Sequence, residues 1–401
     1  MGRSTPLRHR LVELRATADT TNGLKSRRVH LPEPEIRARR ESDRPPEGNM
    51  KTHLRRLACV ALPVFLFAAC AMPSASVPTS SAPTQSATLV ATAQTSLPTA
   101  IPTGTIMGGN EITSTALADN LIGDPPTRTY SVYLPPGYET SDRHYPVVYV
   151  LQGFGGGVNF RVLAGYFDHL MAAGSAHEMI LVFFDGVNKL GGSWYLSSPT
   201  IGDYETFIAD ELVSKVDATY RTLPTSESRG ITGCSMGGYG ALHLALIRPD
   251  AFSVAAPMSA PYEWEQWTAS ILKEHGRDAL ISLAAAAAPN PDNPPRYLDM
   301  PFKVVNGELE SEPDVLRRID AHDPVADLEL YLDQPIRLRG LMIYQDTDRG
   351  SEDRSYTEAA GAFDKTLTEK GIDHEFIQVE AAHCGGGWAP ILEFMSTHLA
   401  R

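Results

Sequence analysis

Short apolar segments alternate with helical patterns from about residue 113 onward, and this alternation constrains the fold more than any other feature. Residues 146–151 (PVVYVL) and 179–184 (MILVFF) are rich in β-branched and aromatic residues, which is typical of strands buried on both faces. Residues 203–220 instead repeat apolar side chains every three or four positions, as an amphipathic helix does. Together these segments predict an α/β fold, in which helices cover both faces of a mostly parallel central sheet.

The segment before this region predicts export. Residues 50–69 start at Met50 with basic residues and continue as an apolar run that is too short to span a bilayer, which is the layout of a signal peptide. Residues 67–70 (FAAC) resemble a bacterial lipobox, so Cys70 is the predicted lipidation site. Ordinary signal cleavage beside an incidental cysteine is the alternative.

Two flanking segments complete the predicted domain organisation. Residues 1–49 are polar and rich in arginine, and we interpret them as an upstream extension that the cell does not use. Residues 70–112 consist largely of Ser, Thr, Pro and Ala, which cannot bury a core and are typical of a tether. The predicted globular domain spans residues 113–401. We expect it outside the cytoplasm, either anchored by lipid or secreted.

Charge and cysteine content exclude several classes of function. The formal net charge is −13, and the acidic residues are concentrated after the basic N-terminal segment. An acidic domain repels nucleic acid and anionic lipid headgroups, so we expect no nucleic-acid partner and no membrane contact beyond the lipid anchor. The four cysteines lack the spacing of zinc ligands, so we predict neither a metal site nor a cofactor.

A serine flanked by glycines follows a further predicted strand. Residues 230–240 (GITGCSMGGYG) contain Gly233-x-Ser235-x-Gly237 between a short strand and a helix. A nucleophilic serine on such a turn needs glycine on both sides, because the backbone is strained and the flanking elements pack closely. We predict Ser235 as the nucleophile, and the Met236 amide at the helix N-terminus as a donor to the developing oxyanion.

The predicted general base is a histidine near the C-terminus. His383 follows a strand-like segment and precedes a helical pattern, which gives the order serine, acid, histidine of the α/β-hydrolases. The acid should follow the strand at residues 341–344, where three aspartates compete for the role of orienting the imidazole. We favour Asp353, with Asp348 and Asp346 as the alternatives.

A glycine-rich loop provides the second predicted oxyanion donor. Residues 152–157 (QGFGGG) follow a predicted strand, and glycine lets a backbone amide approach a carbonyl closely. Phe154 is the favoured donor and Gly155 the alternative. A plain turn or a phosphate cradle are other interpretations, but the Gly-Lys-Ser/Thr of a P-loop does not follow.

Two cysteines adjoin the predicted catalytic residues. Cys234 precedes Ser235 and Cys384 follows His383, so their backbones should lie fairly close. Neighbouring side chains on a strand or turn usually point apart, which opposes a bond between them. The sequence leaves two outcomes open, a pair of reduced thiols and a disulfide near the site.

The chain resembles an esterase family of α/β-hydrolases over about residues 118–400. This family includes feruloyl and acetyl-xylan esterases, S-formylglutathione hydrolases, siderophore esterases and mycolyltransferases. The resemblance is carried by residues 132–138, 145–155, 217–222, 233–241 and 371–375. The last of these segments precedes His383 in the chain. It implies a serine esterase that forms an acyl-enzyme on Ser235, and it places the acid of the family on Asp353 in residues 350–353 (GSED).

Two departures from the family pattern affect the predicted site. Gln152 replaces the histidine that usually precedes the oxyanion glycine, and the acid loop is lengthened, which keeps Asp348 in consideration. Two alternative functions use the same fold. Acyl transfer to an alcohol, as in the mycolyltransferases, needs the same groups, and a surface-binding protein could retain an idle triad.

The substrate is predicted only as a class, a small-molecule or polymer-linked ester. Two segments with several aromatic residues are expected to form the wall of the pocket and a small cap inserted before the acid strand. Four aromatic residues in them are candidate substrate-binding residues, namely Trp194, Tyr195, Trp264 and Tyr297.

Overall fold

The computed structural model describes residues 101–401, apart from residues 157–158, 265–266, 269–270, 272–275 and 348–354. The predicted extension, the signal peptide, the lipidation site Cys70 and residues 70–100 of the tether therefore lie outside the described residues. So do two of the candidate acids, Asp348 and Asp353. Within the described part of the chain, no helix is both long and apolar enough to cross a bilayer.

An eight-stranded sheet forms the centre of the domain. The strands of the structure are, in chain order, β1 (Thr105–Thr113), β2 (Thr127–Leu134), β3 (Val147–Leu151), β4 (Ile180–Phe184), β5 (Ser197–Ser198), β6 (Gly202–Asp203), β7 (Arg229–Cys234), β8 (Val254–Met258), β9 (Phe302–Val305), β10 (Glu308–Ser311), β11 (Gly340–Asp346) and β12 (Glu375–Val379). The sheet order is β1-β2-β4-β3-β7-β8-β11-β12, and β5 with β6 and β9 with β10 form separate ribbons. β2 pairs antiparallel with β1 and β4, and the other pairings in the sheet are parallel. The predicted α/β fold with a mostly parallel sheet is confirmed.

Helices cover both faces of this sheet. The described helices are α1 (Phe160–Ala173), α2 (Tyr204–Thr206), α3 (Val213–Thr219), α4 (Met236–Ile247), α5 (Gly276–Ala287), α6 (Pro313–Asp320), α7 (Pro324–Leu332), α8 (Ser355–Glu369) and α9 (Ala389–His398), with a π-helical segment at Phe207–Leu212 and short 3-10 turns at Tyr138–Thr140 and Ser226–Ser228. Helices α1 and α9 pack on one face, whereas α4, α5, α7 and α8 pack on the other.

The central strands are buried on both faces, as their apolar sequences predict. In β3, Val147, Tyr149 and Leu151 belong to the core on one face of the sheet, and Val148 and Val150 belong to the core on the other. All five side chains are fully buried. Complete burial of such a side chain stabilises the fold by about 1.5–3 kcal/mol, so these alternating residues fix the strand in its register.

The folded domain begins before the predicted boundary at residue 113. Strand β1 pairs antiparallel with β2 at the edge of the sheet, so the tether ends before Thr105. Gly108 and Gly109 lie at a register shift, where the alternation of side chains is interrupted. That interruption explains the error, because a regular alternation is the signal by which a strand is recognised in a sequence.

The insert predicted before the acid strand lies between β8 and β11. Its described residues include α5, the β9–β10 hairpin, α6 and α7. The alanine-rich part of α5 is buried against the core, from Ala284 to Ala287. The hairpin instead lies at the surface, where the side chains of Val304 and Leu309 are exposed to solvent.

A buried ion cluster joins α4 to the helices around it. The His243 side chain on α4 is buried, with Nδ1 2.8 Å from Asp327 Oδ2 and Nε2 3.4 Å from Glu205 Oε1. Burial disfavours the charged imidazolium, but the two carboxylates outweigh burial and raise the pKa of His243 to about 10. The neighbouring His322 has its pKa lowered by burial and by the charge on His243. His243 is therefore the protonated member of this cluster at neutral pH.

His243→Gln should make the stability of the protein less dependent on pH. Since the pKa of His243 is raised from 6.5 to about 10 on folding, its contribution is fully present below about pH 6.5 and is lost as the pH rises toward about 10. The measurement is Tm for both proteins at several pH values across this window. We expect the Tm of wild type to exceed that of His243→Gln most near pH 6.5, and this difference in Tm to shrink at higher pH.

His374→Gln is the matched control. The His374 imidazole also faces a carboxylate, Asp364, at 2.9 Å, but that carboxylate is one-third exposed and water screens the pair. A difference in Tm between wild type and His243→Gln that stays constant across the window would contradict the assignment of a protonated His243.

Candidate active site

Ser235 occupies the turn between β7 and α4, at the carboxyl end of the parallel strands. Its φ of 60° and ψ of −124° place a non-glycine residue in a strained conformation. Hydrogen bonds hold the turn, because the Ser235 amide donates to the Met258 carbonyl (3.0 Å) and the Ser235 carbonyl accepts from the Tyr239 amide (2.9 Å). This strained turn between a strand and a helix is the arrangement that the sequence predicts around Ser235.

The glycines around Ser235 allow the backbone segments to approach one another. A methyl group at Gly233 would lie 2.5 Å from the Gly237 carbonyl oxygen. A methyl group at Gly237 would collide with the carbonyl oxygens of Leu151 and Gln152 at the end of β3. The close packing that the sequence motif predicts is therefore present between the turn and the glycine-rich loop.

One cavity of about 370 Å³ contains both Ser235 and His383. His383 is exposed in the loop between β12 and α9, residues 380–388, which we call the base loop. The described lining residues of the cavity are Gly153, Phe154, Gly156, Asn159, Val162, Leu163, Cys234, Ser235, His383, Cys384 and Trp388. The structure thus brings together the predicted nucleophile, the predicted base and the glycine-rich loop.

Asp346 ties the base loop to the sheet. Its Oδ1 accepts a hydrogen bond from the Gly386 amide (3.0 Å), and its Oδ2 accepts one from Ser259 Oγ (3.0 Å). Burial raises the pKa of Asp346, although these hydrogen bonds oppose that effect. Tyr344 adds a second tie by donating from its hydroxyl to the Gly386 carbonyl (2.7 Å). Asp346 is therefore placed to hold the base loop, with both carboxylate oxygens occupied.

A disulfide joins the two cysteines beside the predicted catalytic residues. Cys234 and Cys384 are bonded, with their Cα atoms 5.9 Å apart. The structure thus selects one of the two outcomes that the sequence left open. The two sulfur atoms and a ring nitrogen of His383 all lie within 4.8 Å of one another. Because both sulfurs are used in the disulfide, they are not available as thiolate ligands for a metal.

The predicted oxyanion donors lie on two elements that meet at Ser235. Met236 is the first residue of α4, where the backbone amide has no acceptor within the helix. A methyl group at Gly153 would lie 3.6 Å from Ser235 Cβ, so the glycine-rich loop passes beside the nucleophile and Phe154 follows directly. The Gly155 amide donates to the Gly191 carbonyl (2.8 Å), so this alternative donor is already engaged.

Comparison with known proteins finds similarity to esterases over part of this domain. Residues 125–303 match the family described as "Putative esterase". Esterase Rv1288 of Mycobacterium tuberculosis is 35% identical over 139 residues, which cover 33% of this chain and 28% of that protein. The endo-1,4-beta-xylanase/feruloyl esterase of Xylanibacter ruminicola is 29% identical over 133 residues, which cover 31% of this chain and 18% of that protein. The chain therefore matches less than a third of the length of either relative.

A solved structure shares the fold of this domain. It is FphF, a fluorophosphonate-binding serine hydrolase of Staphylococcus aureus, which is 16% identical to this chain with a TM-score of 0.50. The similarity covers 73% of this chain and 99% of that chain. At this level of identity the likeness concerns the fold alone.

The aromatic residues predicted to bind substrate lie away from the described lining of the cavity. Trp194, Tyr195 and Trp264 are buried in the core. The Trp194 indole donates to Ser282 Oγ (2.9 Å), and the Tyr195 hydroxyl donates to the Gln152 carbonyl (2.8 Å). Their polar atoms thus have partners inside the protein, as buried aromatic side chains require, and these three are core residues instead of pocket residues.

Tyr297 and the segment before α2 also differ from the prediction. Tyr297 is half-buried, and its carbonyl accepts a hydrogen bond from Thr200 Oγ1 (2.5 Å). The segment around Gly191 and Gly192 packs against Phe154 of the glycine-rich loop, since a methyl group at Gly192 would lie 2.9 Å from the Phe154 ring. The described residues of this segment do not line the cavity.

Several described lining residues of the cavity were missed by sequence reasoning. Val162 and Leu163 come from the first turn of α1, which follows the glycine-rich loop. Trp388 comes from the end of the base loop, five residues after His383. Their nearness in the chain to predicted site residues was the available signal, because elements that follow the carboxyl ends of parallel strands gather at one edge of the sheet.

Proposed function

We propose that this protein is a serine esterase that hydrolyses carboxylic esters through an acyl-enzyme on Ser235. The observation that carries the proposal is the shared cavity, in which the strained Ser235, the exposed His383 and the loop at Phe154 meet. The match of residues 125–303 to an esterase family supports ester hydrolysis as the reaction. Two relatives named as esterases give the same support.

The proposed reaction uses only groups of the protein. His383 accepts the proton of the Ser235 hydroxyl as Oγ attacks the ester carbonyl carbon, and the amides of Met236 and Phe154 donate to the resulting oxyanion. The C–O bond to the leaving alcohol breaks as the imidazolium returns its proton to that oxygen. Water then attacks the acyl-enzyme by the same route and releases the carboxylic acid.

The composition of the cavity supports a neutral ester with an apolar acyl group. Its described wall includes four apolar side chains, those of Phe154, Val162, Leu163 and Trp388. Apart from the predicted base, the described lining has no acidic or basic side chain that would recognise a charged substrate. A buried CH2 group contributes about 0.8 kcal/mol, so the acyl chain is the part of the substrate from which this wall gains binding energy.

A fluorophosphonate probe and p-nitrophenyl esters test this proposal. The probe should label wild type at Ser235, and kcat/KM should be about 15-fold higher for the butyrate than for the acetate ester, since two further CH2 groups are buried. Val162→Asp should remove most of this preference, because Val162 lines the cavity and is 52% exposed.

Tyr166→Asp is the matched control for Val162→Asp. Tyr166 lies one turn further along α1 and is 50% exposed, but it is outside the described lining of the cavity. It introduces the same charge on the same helix, and we expect the wild-type preference for butyrate. An unlabelled Ser235 in protein that hydrolyses the esters would contradict the proposed mechanism.

We also propose that the enzyme is exported and attached to a membrane by lipid at Cys70. Residues 50–69 support export by their signal-peptide layout, and residues 67–70 support lipidation. The Cys234–Cys384 bond gives independent support for export, because disulfides persist mainly in oxidising compartments outside the cytoplasm.

A further inference from the structure

The disulfide links the two halves of the proposed catalytic machinery. Cys234 is the last residue of β7 and is fully buried directly before Ser235. Cys384 lies on the base loop directly after His383 and has a φ of 61°, which is unusual for a residue with a side chain. The bond therefore connects the buried end of a central strand to a partly exposed loop.

The base loop is rich in glycine directly after Cys384. Gly385, Gly386 and Gly387 follow Cys384, and glycine leaves the backbone with the largest conformational freedom of any residue. Asp346 and Tyr344 also hold the loop at Gly386, three residues beyond the base, and the backbone of Cys384 and Gly385 interacts with Asp346 as well. The disulfide adds a covalent restraint at the residue directly after His383.

The nucleophile has restraints that do not depend on the disulfide. The Ser235 amide donates a hydrogen bond to the Met258 carbonyl, and the Ser235 carbonyl accepts one from the Tyr239 amide. Helix α4 is buried along nearly its whole length. Loss of the disulfide should therefore leave the serine turn in place and release mainly the base. Catalytic groups act only within about 0.5 Å of their productive positions.

We propose that the Cys234–Cys384 disulfide is a positioning element for His383, and that its reduction lowers turnover while the fold is retained. This inference rests on the proposed function, since it concerns the same serine and histidine. It extends that function by making activity depend on the thiol–disulfide balance around the enzyme. Under oxidising conditions the base is held in place, and a dithiol reductant releases it.

The reduction involves a balanced exchange of bonds. A thiolate of the dithiol attacks the sulfur of Cys384, the partly exposed partner, and the Cys234 thiolate leaves and takes up a proton. The second thiol of the reductant attacks the mixed disulfide, so that Cys384 is released as a thiol. The protein gains two electrons and two protons, and the reductant becomes a cyclic disulfide.

The test compares the full chain with its Cys234→Ala/Cys384→Ala variant, with and without dithiothreitol. EDTA is present throughout, because two free thiols beside His383 would otherwise bind trace metal. We expect kcat of the variant and of the reduced wild type to fall about 100-fold with little change in KM, since a displacement of about 1 Å can cost that factor. Reoxidation should restore the wild type, and dithiothreitol should not lower the variant further.

Three readouts distinguish positioning from a loss of structure. Circular dichroism and Tm should show folded protein in each case, and fluorophosphonate labelling should slow in parallel with kcat because His383 activates Ser235. Iodoacetamide without reductant is the control, since it modifies free thiols, spares the disulfide and should leave kcat unchanged. Cys384→Ala alone is the second variant, and it should match the reduced wild type.

Unchanged kcat in the folded double variant or in the reduced wild type would overturn the proposal. A reduced wild type that loses its fold together with its activity would also overturn it, because the disulfide would then be purely structural. Full activity of Ser235→Ala would overturn the proposed function instead. The two failures are therefore distinguishable.

Discussion

Ser235→Ala should lower kcat for p-nitrophenyl butyrate by about 10⁵- to 10⁶-fold, which is the loss typical of removing a nucleophile that acts with its base. His383→Ala should cause a loss of similar size, because the serine hydroxyl is a weak nucleophile without a proton acceptor. The double variant should be little worse than either single variant, since the two residues act as one unit.

The control for these variants is Ser226→Ala, at a half-buried serine in the 3-10 turn before β7. This substitution also removes a serine hydroxyl group close in sequence to β7, and kcat should be close to the wild-type value. Strictly multiplicative losses in the double variant would show that Ser235 and His383 act independently. Wild-type turnover in Ser235→Ala would rule out the serine mechanism.

Asp353→Asn should lower kcat by about 10⁴-fold, because an amide at the acid position stabilises the wrong imidazole tautomer. Asp348→Asn should have a far smaller effect. The structure adds a reason to set Asp346 apart, since its two carboxylate oxygens already accept hydrogen bonds from Ser259 and Gly386. The measurement is kcat for all three variants under identical conditions.

Asp346→Asn should give a distinct result. An amide can replace only one of the two accepting oxygens, so the variant should lose stability and hold the base loop less firmly, with a fall in both Tm and kcat. Asp353→Asn should leave Tm nearly unchanged. If Asp348→Asn proves to be the inactive variant, the acid assignment moves to Asp348 and the roles of Ser235 and His383 stand.

The fold was predictable where one physical signal dominates. Strands buried on both faces need continuous apolar runs, so β3 and β4 were recognised directly from residues 146–151 and 179–184. Strand β1 was missed because pairing with β2 stabilises a segment whose own sequence is interrupted by Gly108 and Gly109. Long-range pairing of this kind leaves little trace in the local sequence.

The site was predictable only as far as chain order determines it. Ser235 and His383 were found because a strained turn and a loop after a parallel strand have recognisable sequences. Chain order does not determine the direction in which a side chain points. For this reason the sequence predicts Trp194 and Trp264 in the pocket, whereas both lie in the core. The bond between Cys234 and Cys384 depends on two such directions at once.

The disulfide also changes how the chain responds to proteolysis. Its two cysteines are 150 residues apart, so the bond closes a covalent ring that contains β8, the whole insert, β11 and β12. The exposed β9–β10 hairpin, with Asn306 and Gly307 at its tip, lies inside this ring. A protease that cuts at the tip opens the ring without separating the two fragments. A nicked enzyme therefore keeps Ser235 and His383 in one covalent molecule, and the two fragments can separate only after a reductant cleaves the disulfide.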